Sequence, residues 1–445
     1  MSSSRPWAAV LLLAAVHMLV FDRGLGGDGW AGFATLESLA RDGDVRLEDE
    51  HRGVMNGLVG GRDGRLVMQY PPGILVLDAL PFLAGRALDA WLPASWLAGG
   101  FDLPPAGRVP RGVFLSVAAI VLARNLAVLL GMLWTARALS RAGFPARTSA
   151  VATGFAFFGG PLVFYALVGM SHAPAFALAA LLLLLLARFR ETGSPRLALA
   201  AGLAAGAAVL VRYGAVALAA PALVALALGP GGFQPRRWAE FGAGFGAALL
   251  PLPFWWRAVF GSWLPPYGGI WEITAASPWN VLFSPVHGLF LFHPALLFAA
   301  AGLALTAGRE IRRRLPGMGT VAAVWFLAVA VLHGWWSEWE NAGGYGQRFL
   351  IDALPACALG FAAFLESGRQ AWKGAALAAA TLFGYLLFFA AVGRLVPPPP
   401  GVPWPQRLAD YAPLLRRPPG PGDLWDGLRR ASLPVRVLAG PPDSG

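Results

Sequence analysis

The chain has 445 residues, of which 57% are hydrophobic, and its 35 basic and 24 acidic residues give a formal net charge of +11. This composition excludes an ordinary soluble domain and an intrinsically disordered chain. Nucleic acid is also excluded as a partner, because the arginines cluster between hydrophobic segments, where they orient membrane helices. The single cysteine, Cys357, excludes an internal disulfide and a cysteine-based metal cluster.

Continuous apolar runs long enough to cross a bilayer recur along the sequence. They are rich in alanine and leucine and do not alternate with polar residues, which favours helices over a β-barrel. The predicted spans cover residues 1–21, 113–134, two spans within 150–187, two within 197–228, 241–256, 288–306, 320–335, 349–364 and 375–392. The fold prediction is therefore an all-α polytopic membrane protein with about eleven transmembrane helices.

The arginines predict how these spans are oriented. Basic clusters occupy 137–147, 188–196, 236–237, 309–314 and 369–373. Counting the spans between them puts every cluster on one side, which the positive-inside rule makes cytoplasmic. The long polar segment that follows the first span then faces outward.

Residues 73–91 are apolar enough to span but contain Asp78 and Asp89. Counting this segment as a span would reverse the sidedness of every later loop, so we predict a helix lying in the outer interface. The predicted domains are a first transmembrane helix (1–21), an external loop (22–112), a transmembrane bundle with external aromatic loops (113–393) and a Pro/Gly-rich external tail (394–445).

Acidic residues in the external loop are candidates for chemistry. Asp28 follows the first span directly, between glycines. A carboxylate at the membrane surface can take a proton from an acceptor hydroxyl, so Asp28 is the candidate general base, with a surface aspartate in a turn as the alternative. Asp42 and Asp44 belong to an acidic run farther along. Such a run is either simply solvated or binds a divalent cation, which makes these two aspartates candidate metal ligands.

Three basic side chains are candidates for binding a phosphate. His172 lies at an external turn between two spans, and Arg212 interrupts an apolar run near the external face. An ionisable residue at membrane depth indicates a functional site, and a lipid phosphate is a natural partner for arginine. Snorkelling to the interface is the alternative for Arg212. Arg348 adds a positive charge at the start of another span.

The external loop at 335–348 combines tryptophans with acidic and amide side chains. Tryptophan there is typical of an interfacial aromatic belt. The same composition suits a sugar, because aromatic rings stack on its faces and carboxylates accept hydrogen bonds from its hydroxyls. The candidate substrate-binding residues are Glu338, Trp339, Tyr345 and Gln347 in this loop, with Trp30 and Tyr70 in the first external segment.

Short motifs follow one another in a definite order. They are the aspartate after the first span with Leu-x-x-Asp-Gly-Asp at 39–44, Tyr-Pro-x-Gly at 70–73, Met-Ser-His-Ala at 170–173, and Ser-Pro-x-x-Gly-Leu at 284–289 with Gly-x-Arg-Phe at 346–349. This set resembles the GT-C superfamily of membrane glycosyltransferases, which includes protein mannosyltransferases and the aminoarabinose transferase of lipid A. The resemblance covers most of the chain, from residue 22 to about 365.

The resemblance implies an enzyme that transfers a sugar, with inversion, from a polyprenyl-phosphate carrier to a lipid, glycan or protein acceptor. It assigns the base to Asp28 and leaves Arg212, Arg348 and His172 as positional candidates for the donor phosphate. It implies a bacterial-type inner (cytoplasmic) membrane, with the active site on the periplasmic face. Some members use a divalent metal and others do not, so the metal role of Asp42 and Asp44 is left open. The alternative function is a transporter or flippase of a lipid-linked glycan.

Overall fold

The computed structural model describes residues 5–21, 25, 27–47, 58–91, 102–103, 107–108, 114–167, 169–264, 278–284, 288–308, 316–336, 346–368, 372–394 and 422. The predicted tail beyond residue 394 and part of the loop at 335–348 lie outside these ranges.

The described chain is helical apart from two short hairpins. The helices are α1 (Arg5–Phe21), α2 (Gly27–Asp42), α3 (Gly73–Asp89), α4 (Phe114–Arg141), α5 (Ala146–Phe158), α6 (Leu162–Tyr165), α7 (His172–Thr192), α8 (Pro195–Val211), α9 (Ala219–Ala227), α10 (Pro235–Leu249), α11 (Pro251–Phe260), α12 (Pro278–Phe283), α13 (Leu289–Phe292), α14 (Ala295–Gly308), α15 (Met318–Gly334), α16 (Leu354–Glu366) and α17 (Trp372–Arg394). Turns of 3₁₀ helix cover Tyr213–Leu218 and Arg348–Ala353. The antiparallel hairpins pair β1 (Leu58–Gly60) with β2 (Leu66–Met68), and β3 (Asp102–Leu103) with β4 (Gly107–Arg108).

The helices fit a multi-pass membrane protein. Three described helical segments are long and apolar enough to cross a bilayer: Leu115–Arg141, His172–Thr192 and Arg348–Glu366. Shorter apolar helices surround them, including Pro195–Val211 and Met318–Gly334. The membrane character predicted from composition is therefore confirmed, whereas the number of eleven spans remains a prediction.

Two predicted breaks in long apolar runs are present. Helix α6 ends at Tyr165, and α7 begins at His172, one residue after Ser171. Helix α8 ends at Val211 because Arg212 adopts an extended backbone, with φ −149° and ψ 122°, before the 3₁₀ turn. The predicted span at 241–256 is divided between α10 and α11, which meet at Leu250.

Helix α2 is held in place by a hydrophobic cluster that it shares with α3 and α4. Trp30 and Phe33 pack edge to face at 5.7 Å, and Phe33 does the same with Phe82 of α3. Ile120 of α4 is fully buried in this cluster. Burial of each of these large side chains contributes roughly 1.5–3 kcal/mol to the free energy of folding. This packing stabilises the position of α2 against α3 and α4.

Helix α3 is the helix predicted over 73–91. Its Asp89 caps the start of α4: Oδ1 accepts a hydrogen bond from the Leu115 N–H at 2.8 Å, and Oδ2 accepts from the Ser116 N–H at 2.9 Å. The opposite face exposes large apolar side chains, among them Val76 and Leu80. Such a face suits lipid contact, and its position in the outer interface remains a prediction.

Helices α8 and α10 approach each other through glycines. A Cβ on Gly202 would lie 2.1 Å from the Phe241 carbonyl oxygen, and a Cβ on Gly244 would lie 2.2 Å from the Leu199 carbonyl oxygen. A Cβ on Gly246, in the same helix as Gly244, would meet nothing within 4 Å. Small residues at such crossings let membrane helices pack backbone to backbone.

We expect Gly244→Ala to lower the free energy of unfolding by about 1–3 kcal/mol, since α10 must move away from α8. Gly246→Ala is the matched control and should be neutral or slightly stabilising, because alanine favours helix. Thermal unfolding of the detergent-solubilised variants measures both effects. Equal losses in the two variants would show that the α8–α10 contact is not the cause.

Candidate active site

Asp28 occupies the first turn of α2, where the helix dipole stabilises a negative charge. The side chain is buried, and its Oδ2 accepts hydrogen bonds from the Ser171 backbone N–H at 3.2 Å and from the Ser171 hydroxyl. Its Oδ1 is buried and has no hydrogen-bond partner among the described residues. One carboxylate oxygen is thus held in position while the other can accept a proton.

Close backbone contact brings α2 to the turn before α7. A Cβ on Gly29 would lie 2.3 Å from the Gly169 carbonyl oxygen, so only glycine allows this approach. Gly169 itself has a φ of +45°, in the left-handed region that favours glycine. The aspartate after the first span and the Met-Ser-His-Ala motif therefore meet, although they are 143 residues apart.

His172 lies beside Ser171 and is almost fully buried. Its ring stacks on Tyr165, with centroids 5.1 Å apart and planes at 17°. Neither ring nitrogen has a hydrogen-bond partner among the described residues. Arg212, Arg348, Arg124 and His333 all act on this imidazole electrostatically.

Phe349 organises the basic side chains of this group. The guanidinium groups of Arg212 and Arg348 lie 5.9 and 5.2 Å from its ring centroid, distances typical of cation–π contact. The His333 ring stacks on Phe349 at 5.3 Å, with planes at 7°. The Phe349 ring therefore contacts Arg212, Arg348 and His333. All three are also electrostatic neighbours of His172.

The two arginines have different charge partners. Arg212 Nη1 donates to Asp352 Oδ1 and Oδ2 at 3.3 and 3.4 Å, so a protein carboxylate already neutralises it. Arg348 forms no ion pair or hydrogen bond with the described side chains, and its Nε is buried without a partner. Of the two arginines predicted to bind phosphate, Arg348 is the one with unused capacity for an anion.

A buried ion pair lies next to the aspartate and was not predicted from the sequence. Arg124 of α4 donates to both carboxylate oxygens of Asp78 in α3, from Nε at 3.2 Å and from Nη2. Both side chains are 2–3% exposed. Arg124 Nη1 is buried without a hydrogen-bond partner, and a Cβ on Gly29 would lie 2.7 Å from it. A fixed positive charge therefore adjoins the first turn of α2.

The predicted substrate-binding residues divide into three groups. Trp30 and Tyr70 belong to the hydrophobic cluster of α2, α3 and α4, and the Trp30 indole N–H has no described acceptor. Gln347 is fully buried directly before Arg348. The remaining three, Glu338, Trp339 and Tyr345, lie outside the described residues, so their role stays a prediction.

Asp42 and Asp44 are separated from this site. Fourteen residues of helix lie between Asp28 and Asp42, a distance of about 21 Å. Arg41 Nε donates to both Asp42 oxygens at 3.1 and 3.0 Å, and Asp44 accepts from the Ser38 hydroxyl at 3.1 Å. Within the described ranges, no group of three or more His, Cys, Asp or Glu side chains is placed to hold a metal. The metal role of the two aspartates therefore remains a prediction.

Known structures identify the architecture. Neither a family model nor a curated protein matches the sequence. The crystal structure of ArnT from Cupriavidus metallidurans, bound to undecaprenyl phosphate, matches with a TM-score of 0.54 at 15% identity, covering 96% of this chain and 75% of ArnT. The chain has a GT-C fold. The resemblance inferred from the motif order is thus confirmed at the level of fold.

A second GT-C structure, the oligosaccharyltransferase AglB from Archaeoglobus fulgidus in complex with an inhibitory peptide and dolichol phosphate, matches with a TM-score of 0.45 at 13% identity. The match covers 98% of this chain but only 56% of AglB. ArnT and AglB are both glycosyltransferases of the GT-C type. The match to ArnT shows the shared fold, while the roles of individual residues have to be argued from this chain.

Proposed function

We propose that this protein transfers a sugar, with inversion, from a polyprenyl-phosphate donor to an acceptor on the external face of the membrane. The observation that carries the proposal is the buried Asp28 carboxylate, whose Oδ2 is fixed by Ser171 and whose Oδ1 has no partner among the described residues. The arginines around Phe349 are electrostatic neighbours of His172, the residue after Ser171. A base and a cationic pocket for a leaving phosphate are the two parts that this reaction needs.

Asp28 acts as the general base. Its Oδ1 takes the proton from an acceptor hydroxyl or amine as that atom attacks the anomeric carbon. The bond between the anomeric carbon and the phosphate oxygen breaks, and its electron pair leaves with the polyprenyl phosphate. Attack from the face opposite the phosphate inverts the anomeric configuration. No general acid is required, because the phosphate is already a good leaving group.

Arg348 supplies the principal contact to the donor phosphate. Among the described residues it has no carboxylate partner, and the pairing of Arg212 with Asp352 makes Arg212 a second, partly neutralised contact. His172 is an electrostatic neighbour of both arginines and follows Ser171, which holds the base, and its ring nitrogens, which have no described partner, can bind a phosphate or sugar oxygen. Fixed positive charge around the leaving phosphate lowers the barrier, because its attraction for the phosphate oxygens is stronger in the transition state than in the bound donor.

Two further observations support a lipid-linked donor. ArnT, which shares the fold, was crystallised with undecaprenyl phosphate. The Trp30 indole N–H, two residues from the base, also has no described acceptor and suits a sugar hydroxyl. The predicted periplasmic location and the lipid, glycan or protein nature of the acceptor are part of the same proposal.

A flippase for a lipid-linked glycan is the alternative function. It requires polar groups along a path through the membrane. The candidate residues Asp28, His172 and Arg348 instead lie at the starts of α2, α7 and the Arg348–Ala353 turn, which favours the transferase.

Reconstituted vesicles that contain a labelled polyprenyl-phosphate sugar separate the two functions. A transferase releases free polyprenyl phosphate and passes the label to an acceptor. A flippase moves the intact donor between leaflets, and that result would replace the proposal.

A further inference from the structure

A cavity with several basic side chains lies at the carboxyl ends of α4 and α7. Helices α4 and α7 run parallel: Gly131 packs against Phe176, and nearer the carboxyl ends of both helices Arg141 Nη1 donates to Glu191 Oε2 at 2.6 Å. The carboxyl ends of the two helices line an open cavity of about 560 Å³, which is formed by Arg137, Ser140, Arg141, Leu184, Arg188 and Glu191. Along α7, Arg188 is sixteen residues from His172, or about 24 Å, so this cavity is distinct from the candidate active site.

The cavity carries excess positive charge. Glu191 neutralises Arg141, but the side chains of Arg137 and Arg188 form no ion pair or hydrogen bond in the described part of the chain. Three arginines and one glutamate leave a net charge of +2 in the cavity. Arg137 and Arg141 are four residues apart on one helix, a spacing at which like charges repel, and Glu191 offsets only the charge of Arg141.

An apolar stripe leads from this cavity along the outside of α4. Leu122, Leu126 and Leu130 are each about half exposed and recur every four residues. Arg137 follows Leu130 by seven residues, which is two helical turns, so it lies at the end of the same face. A ligand that fills the cavity and follows this stripe has an anionic head and an apolar chain.

We propose that this cavity binds the phosphate headgroup of an anionic phospholipid, whose acyl chain lies along the leucine stripe of α4. Basic pockets between transmembrane helices recognise such headgroups. The apolar stripe favours a membrane lipid over a soluble phosphate compound. The site is independent of the proposed glycosyl transfer, because none of its residues belongs to the candidate active site.

Native mass spectrometry of the delipidated full-length protein tests this site. The probes are cardiolipin, phosphatidylglycerol, zwitterionic phosphatidylcholine and the soluble headgroup glycerophosphoglycerol. We expect the two anionic lipids to bind at least about tenfold more tightly than the other two probes. Substituting both free arginines, R137Q/R188Q, should weaken anionic-lipid binding about 30-fold, since each arginine contributes roughly fivefold near an anionic headgroup.

The matched control is R62Q/R65Q, which removes the same charge from exposed arginines in the turn between β1 and β2. It should change binding by less than about threefold, because this hairpin packs against α2 and neither arginine lines the cavity. Because Arg137 and Arg188 are exposed, the single variants should also fold, and each should show about a fivefold loss. Equal losses in the pocket and control variants, equal binding of phosphatidylcholine, or equal binding of the soluble headgroup would each overturn the proposal.

Discussion

Replacing Asp28 by asparagine is expected to slow sugar transfer by about 10²–10⁴-fold, the range attributed to a positioned general base. The fold should survive, because the asparagine carbonyl can still accept the hydrogen bonds from Ser171. What is lost is the Oδ1 atom that takes the proton. The rate of polyprenyl phosphate release by the reconstituted variant measures the effect, and thermal unfolding checks the fold.

Asp42→Asn and Asp44→Asn are the matched controls for that experiment. Asp42 is exposed and about 21 Å from Asp28 along α2, and Asp44 is partly exposed two residues beyond the end of this helix, so transfer should stay close to the wild-type rate. Full activity of the Asp28→Asn variant would exclude Asp28 as the base. Loss of activity in the control variants would instead support a metal role for the acidic run.

Breaking the ion pair between Arg124 and Asp78 should have the largest effect on stability. Removing one partner of a buried pair leaves an uncompensated charge, which costs about 3–5 kcal/mol. Asp78→Leu is therefore expected to destabilise the protein strongly, and Arg124→Met to do the same. The double variant should recover most of the loss, because apolar residues of similar volume can replace a buried pair. Unfolding of the detergent-solubilised variants gives the three free energies.

The half-exposed bridge between Arg86 and Glu37 provides the control for that cycle. It joins α3 to α2 with an N–O distance of 2.7 Å, and its side chains are 39 and 26% exposed. Glu37→Gln should cost about 1 kcal/mol or less, as partly solvated pairs do. Additive losses in the Asp78 and Arg124 variants would show that the two residues are not energetically coupled.

The fold was predictable because the constraints on it are local. Runs of apolar residues predict helices, and interruptions such as Arg212 predict where a helix ends, since a charge in an apolar run needs a special environment. The resemblance in motif order then indicated the architecture that ArnT shares. The number of spans was harder to predict from the sequence, because several described apolar helices are shorter than a bilayer-spanning helix.

The partners of the buried charges could not be predicted in the same way. Asp78 and Arg124 are 46 residues apart, and Arg212 and Asp352 are 140 apart, so each pair depends on how the helices pack. A signal was nevertheless present: each side chain lies in or beside an apolar helix, and charges at membrane depth pair with one another. Applied to every such charge, that rule would have predicted a protein carboxylate as the partner of Arg212. Arg348 would then have been preferred among the predicted phosphate contacts.

The proposed sugar transfer is tested most directly by analysing reaction products. The reconstituted wild-type protein is incubated with a labelled polyprenyl-phosphate sugar and a mixture of acceptors. We expect the label on an acceptor, one free polyprenyl phosphate for each sugar transferred, and the opposite anomeric configuration by NMR. Retained configuration would contradict direct attack assisted by Asp28. An intact donor that has only changed leaflet would contradict transfer itself.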